Sequence, residues 1–210
     1  MTQDSTDTFP AGGPGAKGHQ TRRTILDAAI ARFGREGFRA TSVADIARDA
    51  SVGGSVAYAY FSNKEALFLA ALDEDVAALI SVGAGALAES ERMVDWHERL
   101  FFTLIGALEE HPLARRMLAG LEPEVTERVL EIPALSELRR MVGERLRAEQ
   151  VTGLVRSDID PVAVGNGVVA ILLSLLMSVV QIGSDVPATY AADVVAVFRA
   201  AIEQSPPRAP

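Results

Sequence analysis

The chain has 210 residues, 49% hydrophobic and 6% aromatic, enough for one large domain or two small ones around a buried core and too apolar for a disordered tail. It contains no cysteine, which excludes a disulfide framework, a thiolate metal site and a cysteine nucleophile, and fits a reducing, cytoplasmic setting. The net charge of -8 speaks against a nucleic-acid partner, yet residues 17–64 hold eight Lys and Arg against four Asp and Glu, a local +4 that leaves -12 for the rest. Phosphate attraction acts over about 8 Å at physiological salt, so a basic module can work while attached to an acidic body. A chance excess of base on a solvated face gives the same count.

Residues 1–19, rich in Gly, Pro, Ser and Thr, read as a flexible arm. They lack the basic start and apolar run of a signal peptide. From Thr21, the spacing of Ile25, Leu26, Ala29, Ile30 and Phe33 predicts a first helix, with Gly34 and Gly37 bracketing its stop. Ser42 and Asp45 form a capping box, and Val43, Ile46, Ala47 and Ala50 give the stripe of a short second helix. A third helix spans 53–60. Ser62-Asn63-Lys64-Glu65 is a second capping box, opening a helix to about Ile80.

Beyond Gly83 the pattern predicts helices near 90–110, 112–119, 123–130, 133–150, 160–181 and 187–203, with no strand alternation. Pro112, Pro123, Pro133, Pro161 and Pro187 each stand where a first helical turn would begin, a place where proline's missing amide costs nothing. Asp160 suits an N-cap and Gly153 a C-cap after Gln150. The expectation is an all-α protein: the arm at 1–19, a reading head at 20–63, a helical body at 64–204 and a frayed tail at 205–210.

Helix 42–50, a tight turn and helix 53–60 have the spacing of a helix-turn-helix, whose second helix enters the major groove. Tyr58, Tyr60 and Phe61 follow, then Ser62-Asn63-Lys64. The run TRRTILDAAIARFGREGFRATSVADIARDASVGGSVAYAYFSNKEALF resembles the DNA-binding domain of the tetracycline-repressor-like (TetR/AcrR) family of bacterial transcription factors over about residues 21–70. More loosely, EQVTGLVRSDIDP and the two apolar helices after it resemble the end of that family's ligand-binding and dimerisation domain.

The resemblance implies an N-terminal helix-turn-helix domain, a C-terminal helical domain, a homodimer on a double-stranded DNA operator, and a small-molecule effector that releases it. It also implies phosphate contacts from Thr41 or Ser42, from Tyr58 and Tyr60, and from Lys64. A hydroxyl at a helix start adds its donor to free amides and a favourable dipole end, and a lysine adds a point charge. Arg22, Arg39 and Arg48 would add phosphate attraction, or stand only as solvated charges. For Tyr58 the plain alternative is a core aromatic.

The third helix is bare for a reading element. Gly53, Gly54, Ser55, Val56 and Ala59 offer one side-chain hydroxyl and some methyl groups, so they cannot read guanine or adenine bidentately. What remains is close backbone approach at Gly54, thymine-methyl contact from Val56 or Ala59, DNA shape, and Lys17 or Arg22 reaching a minor groove from the arm. The bareness keeps an alternative open: a small-molecule sensor of this fold acting through a protein partner.

No catalytic constellation emerges, and neither a cofactor nor a metal is expected. Gly53-Gly54-Ser55-Val56-Ala57 falls one residue short of a nucleophile elbow and lacks its strand. His97-Glu98-Arg99-Leu100-Phe101 lacks the second histidine of a zinc-protease helix, and no Glu-x-x-His pair exists. His97 shares a stripe with Met93, Leu100, Leu104 and Leu108, as a core histidine would. Trp96, His97, Phe101, Met117 and Met141 are candidate effector contacts, each equally at home in a plain core.

Residues 161–184 carry no charge, long enough to raise the question of a membrane span until Asp185. Asn166, Ala170, Ser174 and Ser178 answer it, recurring every four residues as a low ridge for another helix. The resemblance points the same way, implying a four-helix bundle between two subunits, here joined by Val194 and Phe198 of the last helix, and no membrane.

Overall fold

The computed structural model describes residues 14–88, 96–125, 132–183 and 188–202. Among them every regular element is helical: α1 (Pro14–Ala40), α2 (Val43–Asp49), α3 (Gly54–Tyr60), α4 (Lys64–Ala88), α5 (Trp96–Ala107) with a 3-10 turn at Leu108–Glu110, α6 (Pro112–Leu118), α7 (Pro133–Val151), α8 (Pro161–Ile182) and α9 (Ala188–Ile202). The all-α expectation holds. Pro112, Pro133 and Pro161 open their helices as expected, whereas Pro123 begins a turn. Most of the helix expected at 123–130, and Pro187, lie outside the described residues.

Helix α1 starts well before Thr21, so residues 14–19 are helical and the arm reading does not hold for them. Pro14 fits a first turn, and the hydroxyls of Thr21 and Thr24 donate to the carbonyls of Lys17 and Gln20 one turn back, at 2.9 and 3.0 Å. Lys17 therefore stands on a helix. Only Gly37 interrupts α1: its φ of 86° lies in the left-handed region that side chains disfavour. Gly34 stays helical and serves packing, because a Cβ built on it would lie 2.7 Å from Cβ of Pro112 in α6.

Ser42 caps α2 as predicted. Its backbone is extended, its Oγ accepts from Asp45 N at 3.2 Å and donates to the Asp45 carboxylate at 2.6 Å. The turn to α3 passes through Ser51, a non-glycine residue at φ 55°. At α4 the cap is Asn63, one residue later than the predicted box, with Oδ1 accepting from Ala66 N at 2.8 Å. From there α4 runs two turns beyond Ile80.

Two buried apolar clusters meet on α4. One joins Ile25, Leu26 and Phe33 of α1, Val43 and Ile46 of α2 and Ala57 of α3 to Leu67, Phe68 and Leu72 of α4. It also takes in Leu113 and Leu135 from the body. The other packs Leu79 and Ile80 of α4 against Trp96, Leu100, Leu138, Val142, Leu172 and Leu176. Phe68 stands edge-on to Phe33 and Phe38, centroids 5.0 and 5.2 Å away.

Gly34→Ala should therefore destabilise the protein by about 1–3 kcal/mol although alanine is the better helix former. Gly85→Ala, with nothing within 4 Å of the added carbon, should stabilise it by about 0.5–1 kcal/mol. Thermal melting of both variants checks the contrast, and equal shifts would mean that α1 and α6 are not in van der Waals contact at Gly34.

Candidate nucleic-acid interface and ligand cavity

Helix α3 buries one side chain, Ala57, and turns the rest outward. Gly54, Ser55, Val56 and Ala59 are exposed, and so are Tyr58 at 56% and Tyr60 at 37%. Tyr58 is not a core aromatic. Close by, Ser42 is exposed at the start of α2 and Arg48 on its last turn. Thr41 is a correction: it is 2% exposed and its buried hydroxyl has no partner, so of the two hydroxyls only that of Ser42 faces outward.

Arg22 is exposed on α1 with its guanidinium 5.4 Å from the centroid of the Phe61 ring. Arg48 pairs with Asp45 at 3.0 Å, and Arg39 reaches across to Glu124 of the body. The Ser42 hydroxyl, more than either arginine nearby, holds the Asp45 carboxyl below the usual carboxylate range. Asp45 stays ionised as the partner of Arg48.

Lys64 has a further task. Its ammonium donates to the carbonyls of Phe38 and Thr41 at 2.9 and 3.2 Å and lies 4.3 Å from the centroid of the Phe38 ring. It thus closes off carbonyls left open where α1 breaks. These partners are more than twenty residues away in the chain, so no local spacing announces them. At the same residue, Phe38 N donates to buried Glu122 at 3.2 Å, and Arg116 of α6 donates to the same carboxylate oxygen at 2.5 Å.

The other end of α6 is tied to α4. Buried Asp75 accepts from Leu113 N and Ala114 N at 3.1 and 2.9 Å, and lies 2.9 Å from Nδ1 of His111. An acid at a helix start satisfies orphan amides and meets the positive dipole end. Glu122 and Asp75 escaped the sequence reading because an isolated acid in a charged body carries no signal of burial.

The sequence pattern of bacterial regulatory proteins of the tetR family matches residues 25–71, from the middle of α1 into α4. The HTH-type transcriptional regulator YdgC of Bacillus subtilis (strain 168) is 27% identical over 184 residues, covering 86% of this chain and 91% of its own. Over its head the chain is thus similar to TetR-family transcription regulators. Solved TetR-family structures share its fold. The regulator from Pectobacterium atrosepticum superposes with a TM-score of 0.68 at 21% identity, covering 91% of this chain and 98% of its own. A gamma-butyrolactone receptor, described as ArpA-like, superposes at 0.54 and 22% identity, covering 89% and 90%.

In the body of the chain a cavity of about 70 Å³ opens between α4, α6, α7 and α8. Met117 lines it; Trp96, Phe101 and Met141 do not. Trp96, 1% exposed, belongs to the body core, and Phe101 and Met141 pack beside that core. The side chain of His97 lies outside the described residues. A void is set by where side chains fail to meet, which composition and periodicity do not encode. Among the described residues, no group of three or more acidic or histidine side chains is arranged to hold a metal ion.

The small-residue ridge lies on an open face of α8: Asn166, Ala170 and Ser174 are exposed and Ser178 is partly so. The serine hydroxyls donate to Ala170 O and Ser174 O at 2.9 Å, so neither would be stranded if the ridge were covered. The helix is long and apolar enough to cross a membrane by length and composition, with 33% of its apolar window buried. Phe198 is a correction. It is 7% exposed within its own chain's core, with Val194 packed beside it, while Val197 of α9 is 60% exposed.

Lys64→Ala should cost about 1–3 kcal/mol of stability, because it strips a charged donor from two carbonyls in a partly buried place. Chemical denaturation checks this, and an unchanged midpoint would mean that the lysine clamp is idle in the folded protein.

Proposed function

We propose that this regulator is a cytoplasmic, homodimeric repressor that binds a pseudo-palindromic operator and is released from it by a small-molecule effector. The observation that carries this is the single helix α4, which packs the reading helices at one end and lines the cavity farther along. Two-fold symmetry presents two copies of α3 to two half-sites. In this reading Ser42, Tyr58, Tyr60 and the nearby charges of Arg22, Arg48 and Lys64 meet phosphates. Gly54, Ser55, Val56 and Ala59 face the major groove, where their methyl groups suit thymine and their lack of bulk admits close approach.

The ridge of Asn166, Ala170, Ser174 and Ser178 forms the subunit contact, joined by exposed α9 positions such as Val197. That the gamma-butyrolactone receptor shares the fold supports a small-molecule effector. The exposed α3 face has no guanidinium or carboxamide to read a base edge, which favours a second reading as a sensor working through a protein partner. Binding to DNA from the gene's own upstream region separates the two.

On that DNA a symmetric footprint is expected, and one asymmetric site held by a monomer would overturn the assembly. Arg48→Ala should weaken binding evenly across operator variants and lower the salt-dependence slope by about one unit. An unchanged slope would remove Arg48 from the phosphate contacts.

Ser174→Trp should turn the dimer into monomer or aggregate, read by sedimentation. A dimer that tolerates the indole would place the interface elsewhere.

A further inference from the structure

We propose that the cavity between α4, α6, α7 and α8 takes an uncharged ligand with an apolar carbon skeleton, an inference that rests on the ligand-released reading above. All fourteen of its described lining residues are aliphatic or, in Met117, a thioether. Its walls are helices whose backbone groups bond to one another, so the lining offers a ligand no donor or acceptor. The nearby polar groups are already engaged: Asp75 by α6 and His111, and the Gln181 amide by Leu118 O at 2.9 Å. A carboxylate or ammonium placed inside would lose its water and gain no partner.

Size adds a second constraint. At about 70 Å³ the cavity has room for water but no polar group to hold it. It is also about half the roughly 150 Å³ of an apolar cavity known to accept benzene. A ring therefore enters only if a wall moves. The walls that face it include Leu72, Val76 and Leu79 of α4 and Ala114 and Met117 of α6. Met117 is partly exposed and unbranched, suited to swing aside. Leu72 belongs to the core that holds α2 and α3, so widening the cavity strains the packing of the reading head. The ligand works as a wedge, by its volume and not by a hydrogen bond.

The test titrates the full-length protein with toluene, with benzoate and benzylamine as charged counterparts, followed by calorimetry. Toluene should bind saturably with a negative heat-capacity change, and the charged counterparts should bind about tenfold or more weakly. Ala114→Leu should fill the space and abolish toluene binding. Leu138→Ala should enlarge it and admit naphthalene, which covers the case in which the filled variant fails to fold. Benzoate or benzylamine binding as tightly as toluene would overturn the proposal. So would the absence of saturable toluene binding to both wild type and folded Leu138→Ala protein.

The same samples, assayed for affinity to the upstream DNA, separate this proposal from the reading beneath it. Toluene that binds without loosening DNA supports the apolar cavity and sinks ligand release. A charged compound that releases DNA while toluene stays inert does the reverse.

Discussion

The fold depends on α4 being common to two cores. Leu67, Phe68 and Leu72 lock its first turns to α1, α2 and α3, while Leu79 and Ile80 lock later turns to the body. Side chains in such cores sit in close-packed rotamer wells, so a shift at one end is not absorbed locally. The reading head is correspondingly not self-contained: Leu113, Val125, Ile132 and Leu135 from the body complete its core. The boundary expected between Asn63 and Lys64 does not divide the packing.

Helix α6 is seven residues long, too short to be stable alone, and its place is set by what holds its ends. At its start, Asp75 receives two backbone amides; past its end, Glu122 receives Arg116 and the amide of Phe38. Removing one partner of a buried ionic contact leaves a charge stranded, at a cost of about 3–5 kcal/mol. Hydrogen bonds are also directional, so the two carboxylates fix orientation where apolar packing alone would allow α6 to slide. Phe38 is the meeting point, its N–H donating to Glu122 and its carbonyl accepting from Lys64.

Much of this was legible in the sequence for identifiable reasons. The helices of the head and body announced themselves by apolar period, by the Ser42 cap and by prolines at first turns, all properties of residues close together in the chain. The second cap slipped from Ser62 to Asn63 because the two adjacent residues are both good caps and only the geometry chooses. The beginning of α1 was missed because Gly and Pro at 10–18 suggest an arm, while contact with the rest of the head favours a helix. Thr41 and Phe198 were misjudged in another way. Residue type said what each could do, but not which way the fold would point it.

The same distinction governs the charge of the head. Its excess of base is a sum over residues 17–64, yet several arginines are engaged: Arg32 with Glu36 and Asp49, Arg35 with Glu36, Arg39 with Glu124, and Arg48 with Asp45. Among the described residues Lys17, Arg22 and Arg23, on the first turns of α1, are in no ion pair, and all three are exposed. The helical extension of α1 carries this base toward α3. A Cβ built on Gly18 would lie 3.6 Å from the Tyr60 hydroxyl, and Arg22 stands over Phe61, the residue that ends α3. A mobile arm would spread these charges over many positions and surrender entropy on binding. Held on a helix beside the methyl groups and tyrosines of α3, they would, in the proposed reading, supply a fixed attraction for phosphate where α3 itself has no charge.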